Sequence, residues 1–125
     1  MAQNRETRTV AHPAMLAVGT RQDVMVWKQP VGLFRALEDP DRKVLVGTPG
    51  QSDTMAVVAV TITPDMVGKT IGVAVAPEFK TTKGKQSDKQ KLWQAAFEKR
   101  GGVYQLVRSP AEMIDLVERV QRGNW

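Results

Sequence analysis

Apolar residues in this chain fall into short runs whose periodicity changes along its length. Ala14-Met15-Leu16-Ala17-Val18 follows Pro13 and is stopped by Gly19, which predicts a short helix with proline in its first turn. Val24-Met25-Val26-Trp27 reads as a strand ended by Gln29-Pro30. Val31-Gly32-Leu33-Phe34-Arg35 and Lys43-Val44-Leu45-Val46 read as two more, with Glu38-Asp39-Pro40-Asp41-Arg42 as the turn between them. Gly47-Thr48-Pro49-Gly50 interrupts the pattern before a long β-rich run from Met55 to Ile62. Thr63 to Lys69, punctuated by Pro64 and Gly68, connects that run to another from Thr70 to Lys80.

After Gly84 the period lengthens. Ser87-Asp88-Lys89-Gln90 is a capping-box sequence opening a helix, with Leu92, Trp93, Ala96 and Phe97 as its apolar stripe and Gly101-Gly102 as its stop. Val103 to Val107 reads as a strand. Ser109-Pro110-Ala111-Glu112 opens a last helix with Met113, Ile114, Val117 and Val120 on its apolar side. Strands followed by strand-helix-strand-helix make the fold class α/β, a mixed β-sheet flanked by helices. Residues 1–125 read as a single domain, with residues 1–12 as a flexible polar lead-in.

The runs at 55–62 and 70–80 invite pairing as an antiparallel hairpin. Setting Thr63 opposite Lys69 places Asp53 opposite Phe79 or Glu78, so two carboxylates meet at the open end. Pro77 argues for a bulge or an edge there. Glu78 and Lys80 lie two residues apart and project on one face of a strand. An acid and a base at the end of an apolar strand are costly unless paired or used.

Composition narrows the chemistry. The 125 residues contain no cysteine and one histidine, His12, so thiol catalysis, disulfides and multi-histidine zinc centres are excluded. A metal would be held by oxygen, which points to Mg²⁺ or Mn²⁺. No apolar run approaches the ~20 residues of a membrane span, and a cytoplasmic setting is expected. The net charge is +5. Seven basic and two acidic side chains lie between Phe79 and Arg100, and the eleven basic and eleven acidic residues elsewhere cancel. The excess therefore sits directly after Glu78 and Lys80. It suits a polyanion, nucleic acid first, and equally a lysine-rich solvated helix face.

Phosphodiester hydrolysis needs a nucleophilic water and neutralisation of charge on phosphate, which metal ions held by carboxylates supply. Asp53 and Glu78 are the candidate ligands, with the Phe79 backbone carbonyl as a third. Lys80 is the candidate for orienting the water or offsetting charge, and Lys83, Lys85 and Lys89 for phosphate contacts. Glu78 and Lys80 also fit a purely structural ion pair. Trp27, Trp93 and Phe97 read as core, and Tyr104 as core with its hydroxyl at an edge.

Several stretches together resemble the VRR-NUC family, the virus-type replication-repair nucleases of the PD-(D/E)xK superfamily. They are Val26-Trp27-Lys28-Gln29-Pro30-Val31-Gly32, Gly50-Gln51-Ser52-Asp53, Glu78-Phe79-Lys80-Thr81, Gly84-Lys85-Gln86-Ser87 with Gln90, and Gly101-Gly102-Val103-Tyr104. The resemblance covers roughly residues 24 to 110 and is to the stand-alone phage and bacterial form. It implies a restriction-endonuclease-like core, Asp53 and Glu78 on Mg²⁺ or Mn²⁺, Lys80 as the catalytic lysine, and Gln90 reaching back from its helix into the site. It also implies a homodimer acting on branched or structured DNA. Lys28-Gln29-Pro30 departs from the family's pattern after the tryptophan. The competing expectations are a non-catalytic nucleic-acid-binding accessory protein on the same fold, and a structural phage protein in which Glu78 and Lys80 only hold the fold.

Overall fold

The computed structural model describes residues 5–125, which are mixed α/β. The sequence reading treats the chain as one domain; its contacts form two compact units, one reaching to Ala56 and one of Val57–Trp125. Each is described by itself. No helix among the described residues is long and apolar enough to cross a membrane.

In the first unit, residues 1–4 of the polar lead-in lie outside the described residues, and from Arg5 the backbone is helical rather than an irregular lead-in. A π-helical turn, Thr7–Ala11, runs into α1, His12–Gly19, and the His12 N–H reaches back to the Thr7 carbonyl. Pro13 has no N–H, and its ring crowds the carbonyl four residues earlier, so a wider turn just ahead of it relieves that clash. β1, Val24–Lys28, follows and pairs with β4, Thr54–Val58. β2, Gly32–Arg35, and β3, Lys43–Val46, form an antiparallel hairpin with Leu33 opposite Leu45 and Phe34 opposite Val44. Its turn is closed by Arg42 N–H on the Asp39 carbonyl (3.0 Å) and Asp41 N–H on Asp39 Oδ1 (3.3 Å). These are the bonds expected of aspartate in a turn. After β3, Gln51 N–H donates to the Thr48 carbonyl at 2.8 Å around Pro49-Gly50. Gly50 has φ +86°, so proline and a positive-φ glycine hold the two central positions of a type II turn.

The second unit is strand, helix, strand, helix: β5, Val75–Phe79, α2, Asp88–Lys99, β6, Val103–Val107, and α3, Pro110–Gln121. β5 and β6 are parallel and in unbroken register from Val75↔Val103 to Phe79↔Val107. This corrects the expected hairpin. β4 stops at Val58 and bonds β1, β5 starts at Val75 and bonds β6, and the strand runs at 55–62 and 70–80 are each shorter than expected. Pro77 introduces no bulge. Val103 N–H bonds the Ala74 carbonyl and Lys80 N–H bonds the Val107 carbonyl, so even-numbered residues of β5 face β6. The missing proline N–H falls on the opposite edge, where no ladder bond is lost.

Alternation divides the β5–β6 ladder into two faces. Val103 and Val107 pack with Leu116 of α3 as the core, bordered by Val73, Val75, Met113 and Val120. Leu116 is fully buried, whereas Ile114 and Val117, expected on the apolar side, are exposed. On α2 Phe97 is the buried residue; Trp93, expected in the core, stacks on it while 36% exposed, and Leu92 is turned to solvent. Both helices end alike. Gly101 and Gly102 N–H groups bond the Glu98 and Phe97 carbonyls, and Gly123 and Asn124 bond those of Val120 and Arg119. With φ of +87° and +72° at Gly101 and Gly123, each is a Schellman stop.

Candidate functional site

Glu78 occupies the fourth position of β5 and Lys80 follows the strand's end, so both lie on the face of the ladder that carries Ala76. Lys80 Nζ stands 3.5 Å from Glu78 Oε1, with the two side chains 21% and 31% exposed. Half-buried, the pair is more constrained than a surface ion pair, yet still open to an approaching ligand.

The helix contributes through its cap. Ser87 Oγ accepts from Gln90 N–H at 3.1 Å and Ser87 N–H donates to Gln90 Oε1 at 2.9 Å, a complete capping box. The cap uses only the amide oxygen of Gln90. Its Nε2 donates to Glu78 Oε1 at 2.6 Å, across to β5. Capping Ser87 and bonding Glu78 are therefore performed together by opposite ends of one amide. The cap sets the side-chain rotamer, and the rotamer delivers an N–H to the carboxylate. Glu78 Oε1 thus receives both Gln90 and Lys80.

The segment between β5 and α2 is held from β6. Gly84 N–H bonds the Thr81 carbonyl at 3.1 Å, and Arg108 Nη1 donates to the Thr81 carbonyl and, at 2.9 Å, to that of Gly84. Arg108 N–H in turn donates to Glu112 Oε2 at 2.7 Å, so Glu112 completes its cap one residue before Ser109. Gly84 lies against Lys80; a Cβ there would come within 3.3 Å of the lysine's own Cβ. Sequence reasoning missed Arg108. The signal was its place just past Val107, the residue that pairs with Phe79. Lys83, Lys85 and Lys89 are exposed on the braced segment and the first turn of α2, and none is in an ion pair among the described residues.

A cavity of about 270 Å³ opens beside the carboxylate, lined by Ala76, Glu78, Gln90, Trp93 and Tyr104. Trp93 stacks on Phe97 with ring centroids 4.7 Å apart and meets Tyr104 at 6.1 Å. The Tyr104 hydroxyl is buried and no protein group hydrogen-bonds it.

The structure therefore brings Glu78, Lys80 and Gln90 together in the second unit. Asp53 belongs to the first unit, just before β4; it is exposed, its carbonyl accepts Gln29 N–H at 2.8 Å and its Oδ1 accepts Thr54 Oγ1–H at 3.3 Å. The hairpin that was to carry it to Glu78 is replaced by the β1–β4 and β5–β6 pairings. Phe79 ends β5 and is 68% exposed, and by the same alternation as Pro77 its backbone groups face away from β6. Among the described residues no three or more His, Asp or Glu side chains gather into a metal-binding group. The donors are all oxygen, and one carboxylate with a spare oxygen fits a hard cation that keeps several waters of its own. Compared with family models, curated proteins and solved structures, the chain matches none.

Proposed function

We propose that the chain is a Mg²⁺- or Mn²⁺-dependent DNA endonuclease with a PD-(D/E)xK core, acting as a homodimer on branched or structured DNA. The observation that carries this reading is the convergence on Glu78 Oε1 of Gln90 Nε2 from α2 and Lys80 Nζ from the end of β5. A structural ion pair has no need of a third group fixed by a helix cap. A carboxylate that must present one defined oxygen does.

In this reading Gln90 orients Glu78, and Lys80 stands beside it to offset the charge that builds on phosphate as the bond breaks. The cation would be held by the Glu78 carboxylate, with waters and the substrate phosphate completing its shell. When bound, it polarises the scissile phosphate and lowers the pKa of a water. Lys83, Lys85 and Lys89 contact backbone phosphates, and Arg108 keeps the segment bearing Lys83 and Lys85 against the strand end.

The test is incubation with branched and linear DNA in Mn²⁺ or EDTA. Nicking that requires Mn²⁺ and falls at least a hundredfold in Glu78→Gln and Lys80→Met, on the order of loss of one electrostatic stabiliser, supports the reading. No metal-dependent nicking of any DNA refutes it. A second reading, a non-catalytic nucleic-acid binder, is favoured by the three exposed lysines outside any ion pair. It predicts salt-sensitive binding that survives Glu78→Gln, while Lys83, Lys85 and Lys89 changed together to Gln reduce the salt slope by about two to three.

A further inference from the structure

We infer that the cavity beside Glu78 is a subsite for one unpaired nucleobase of the DNA, which stacks on Trp93. The inference rests on the nucleic-acid reading above, but not on cleavage. Trp93 is where it starts. The stripe of α2 predicts a core indole, yet Trp93 is 36% exposed, while Phe97 one turn further on is 3% exposed. An exposed Leu92 needs no account, since single apolar side chains are common on protein surfaces. Trp93 differs from it in lining a concavity together with a second aromatic residue, a carboxylate and an amide. Such a mixture is the composition of a ligand site.

Three elements build the space. Ala76 and Glu78 lie two residues apart on one face of β5, and Tyr104 is the partner of Ala76 on β6. Gln90 and Trp93 stand three residues apart on one side of α2. Phe97 stacks on Trp93 with ring centroids 4.7 Å apart and planes 20° from parallel, and Tyr104 meets it at 6.1 Å with a tilt of 54°. These contacts hold the indole in place before any ligand arrives, so little freedom is lost when a ring lands on it. At about 270 Å³ the cavity is smaller than the roughly 300–1,000 Å³ of sites for drug-sized ligands. It suits one planar ring system and not a base pair.

The charges around it favour a nucleotide over other aromatic ligands. Glu78 holds Lys80 at 3.5 Å and Gln90 Nε2 at 2.6 Å, so a phosphodiester meets a compensated carboxylate. Lys89 lies one turn before Trp93 on α2, exposed and in no ion pair among the described residues. An aromatic platform beside cations that follow the phosphate backbone is the pattern of single-strand binding, and it tolerates any base because every base has a π-face. A base within a duplex is stacked on both faces and paired at its edge, so only an unpaired or extruded one can enter. The substrate class is therefore DNA with unpaired nucleotides, a flap, a loop or a single strand. A base in the cavity holds its strand against Glu78.

The test is binding by the full chain in EDTA, where no bond is cut. The probes are an oligothymidylate and an oligomer of the same length carrying abasic sugars. The oligothymidylate should bind about five- to 150-fold more tightly, the worth of one base–aromatic stack. Trp93→Leu should abolish that preference and leave binding of the abasic chain unchanged, and Trp93→Phe, which keeps a ring, should retain part of it. With Trp27→Phe and Trp125→Phe combined, Trp93 is the one tryptophan left. Its emission should be quenched by the oligothymidylate, and not by the abasic chain or a fully paired duplex. Equal affinity for the two oligomers overturns the inference, as does emission unmoved by the oligothymidylate or quenched equally by the duplex. These outcomes hold whether or not Trp93→Leu folds. Metal-dependent nicking by a chain that fails them leaves the nuclease reading standing without the subsite. Base-dependent quenching in a chain that nicks no DNA keeps the subsite and removes the nuclease.

Discussion

Replacing Gly102 by alanine would set a methyl carbon 2.5 Å from Cδ2 and Cε2 of Phe97 and 2.8 Å from its Cζ. Those atoms belong to the only buried side chain of α2, itself stacked on Trp93. The ring cannot simply turn away, because it is 3% exposed and enclosed on all sides. Either α2 moves off β6 or Phe97 leaves its rotamer, and overpacking of this kind costs about 1–3 kcal/mol. Backbone strain adds nothing, since Gly102 has an ordinary φ. The neighbouring Gly101 reverses the situation: its φ is +87° and no atom lies within 4 Å of a Cβ built there. Gly101→Ala should cost about 1–2 kcal/mol from the left-handed backbone alone.

Urea unfolding followed by far-UV circular dichroism separates the two causes when each change is combined with Phe97→Leu. The smaller side chain relieves the Gly102→Ala clash, so that pair should be less destabilised than the sum of its parts by about 1 kcal/mol or more. Gly101→Ala with Phe97→Leu should be additive. Additivity at Gly102, or a neutral Gly102→Ala, would refute the close approach of Gly102 to the Phe97 ring.

Two further outcomes are expected. Arg108→Ala removes both donors to the Thr81 and Gly84 carbonyls; loss of these charge-assisted bonds, about 1.5–3 kcal/mol each at most, should speed cleavage after Lys83 and Lys85 by a lysine-specific protease, with α2 and α3 intact by circular dichroism. An unchanged cleavage rate would mean the guanidinium does not hold that segment. Asp23 receives two hydrogen bonds from the Arg21 guanidinium, at 2.9 and 2.7 Å, and this bonding holds its carboxyl below the ordinary aspartate range. A depressed folded-state value means the pair contributes above the unfolded aspartate pKa, about 3.9, and is lost as pH falls through the lower folded value. Carboxyl NMR should find Asp23 titrating at lower pH than in Arg21→Gln, and equal midpoints would contradict the pairing.

Local signals carried much of the second unit. Ser87 with Gln90, Ser109 with Pro110, and Gly101-Gly102 each encode their element within a few residues, and each element begins and ends where that chemistry directs. The hairpin β2–β3 was equally readable, because Asp39 and Pro40 shape its turn without reference to distant residues. Helix faces were less so. Ile114 and Val117 fit an apolar stripe as well as Leu116 does, and only the presence of Val103 and Val107 on β6 selects Leu116 as the buried position. Leu92 is exposed for the same reason: α2 meets β6 through Trp93 and Phe97, one helical turn apart and away from it.

What the residues determined alone was which groups are present: oxygen donors, an acid and a base two residues apart, an amide placed by a helix cap, and lysines after them. Tertiary structure decided the neighbours. Two apolar runs joined by a short connector look like a hairpin, yet β5 lies parallel to β6 across a helical crossover, and β4 pairs with β1. Strand partnering depends on which apolar faces can be covered, and α3 covers the face of the ladder carrying Val103 and Val107, information no local window contains. The same is true of Gln90. Its capping bond is local and was legible, while its bond to Glu78 required β5 and α2 to be packed together.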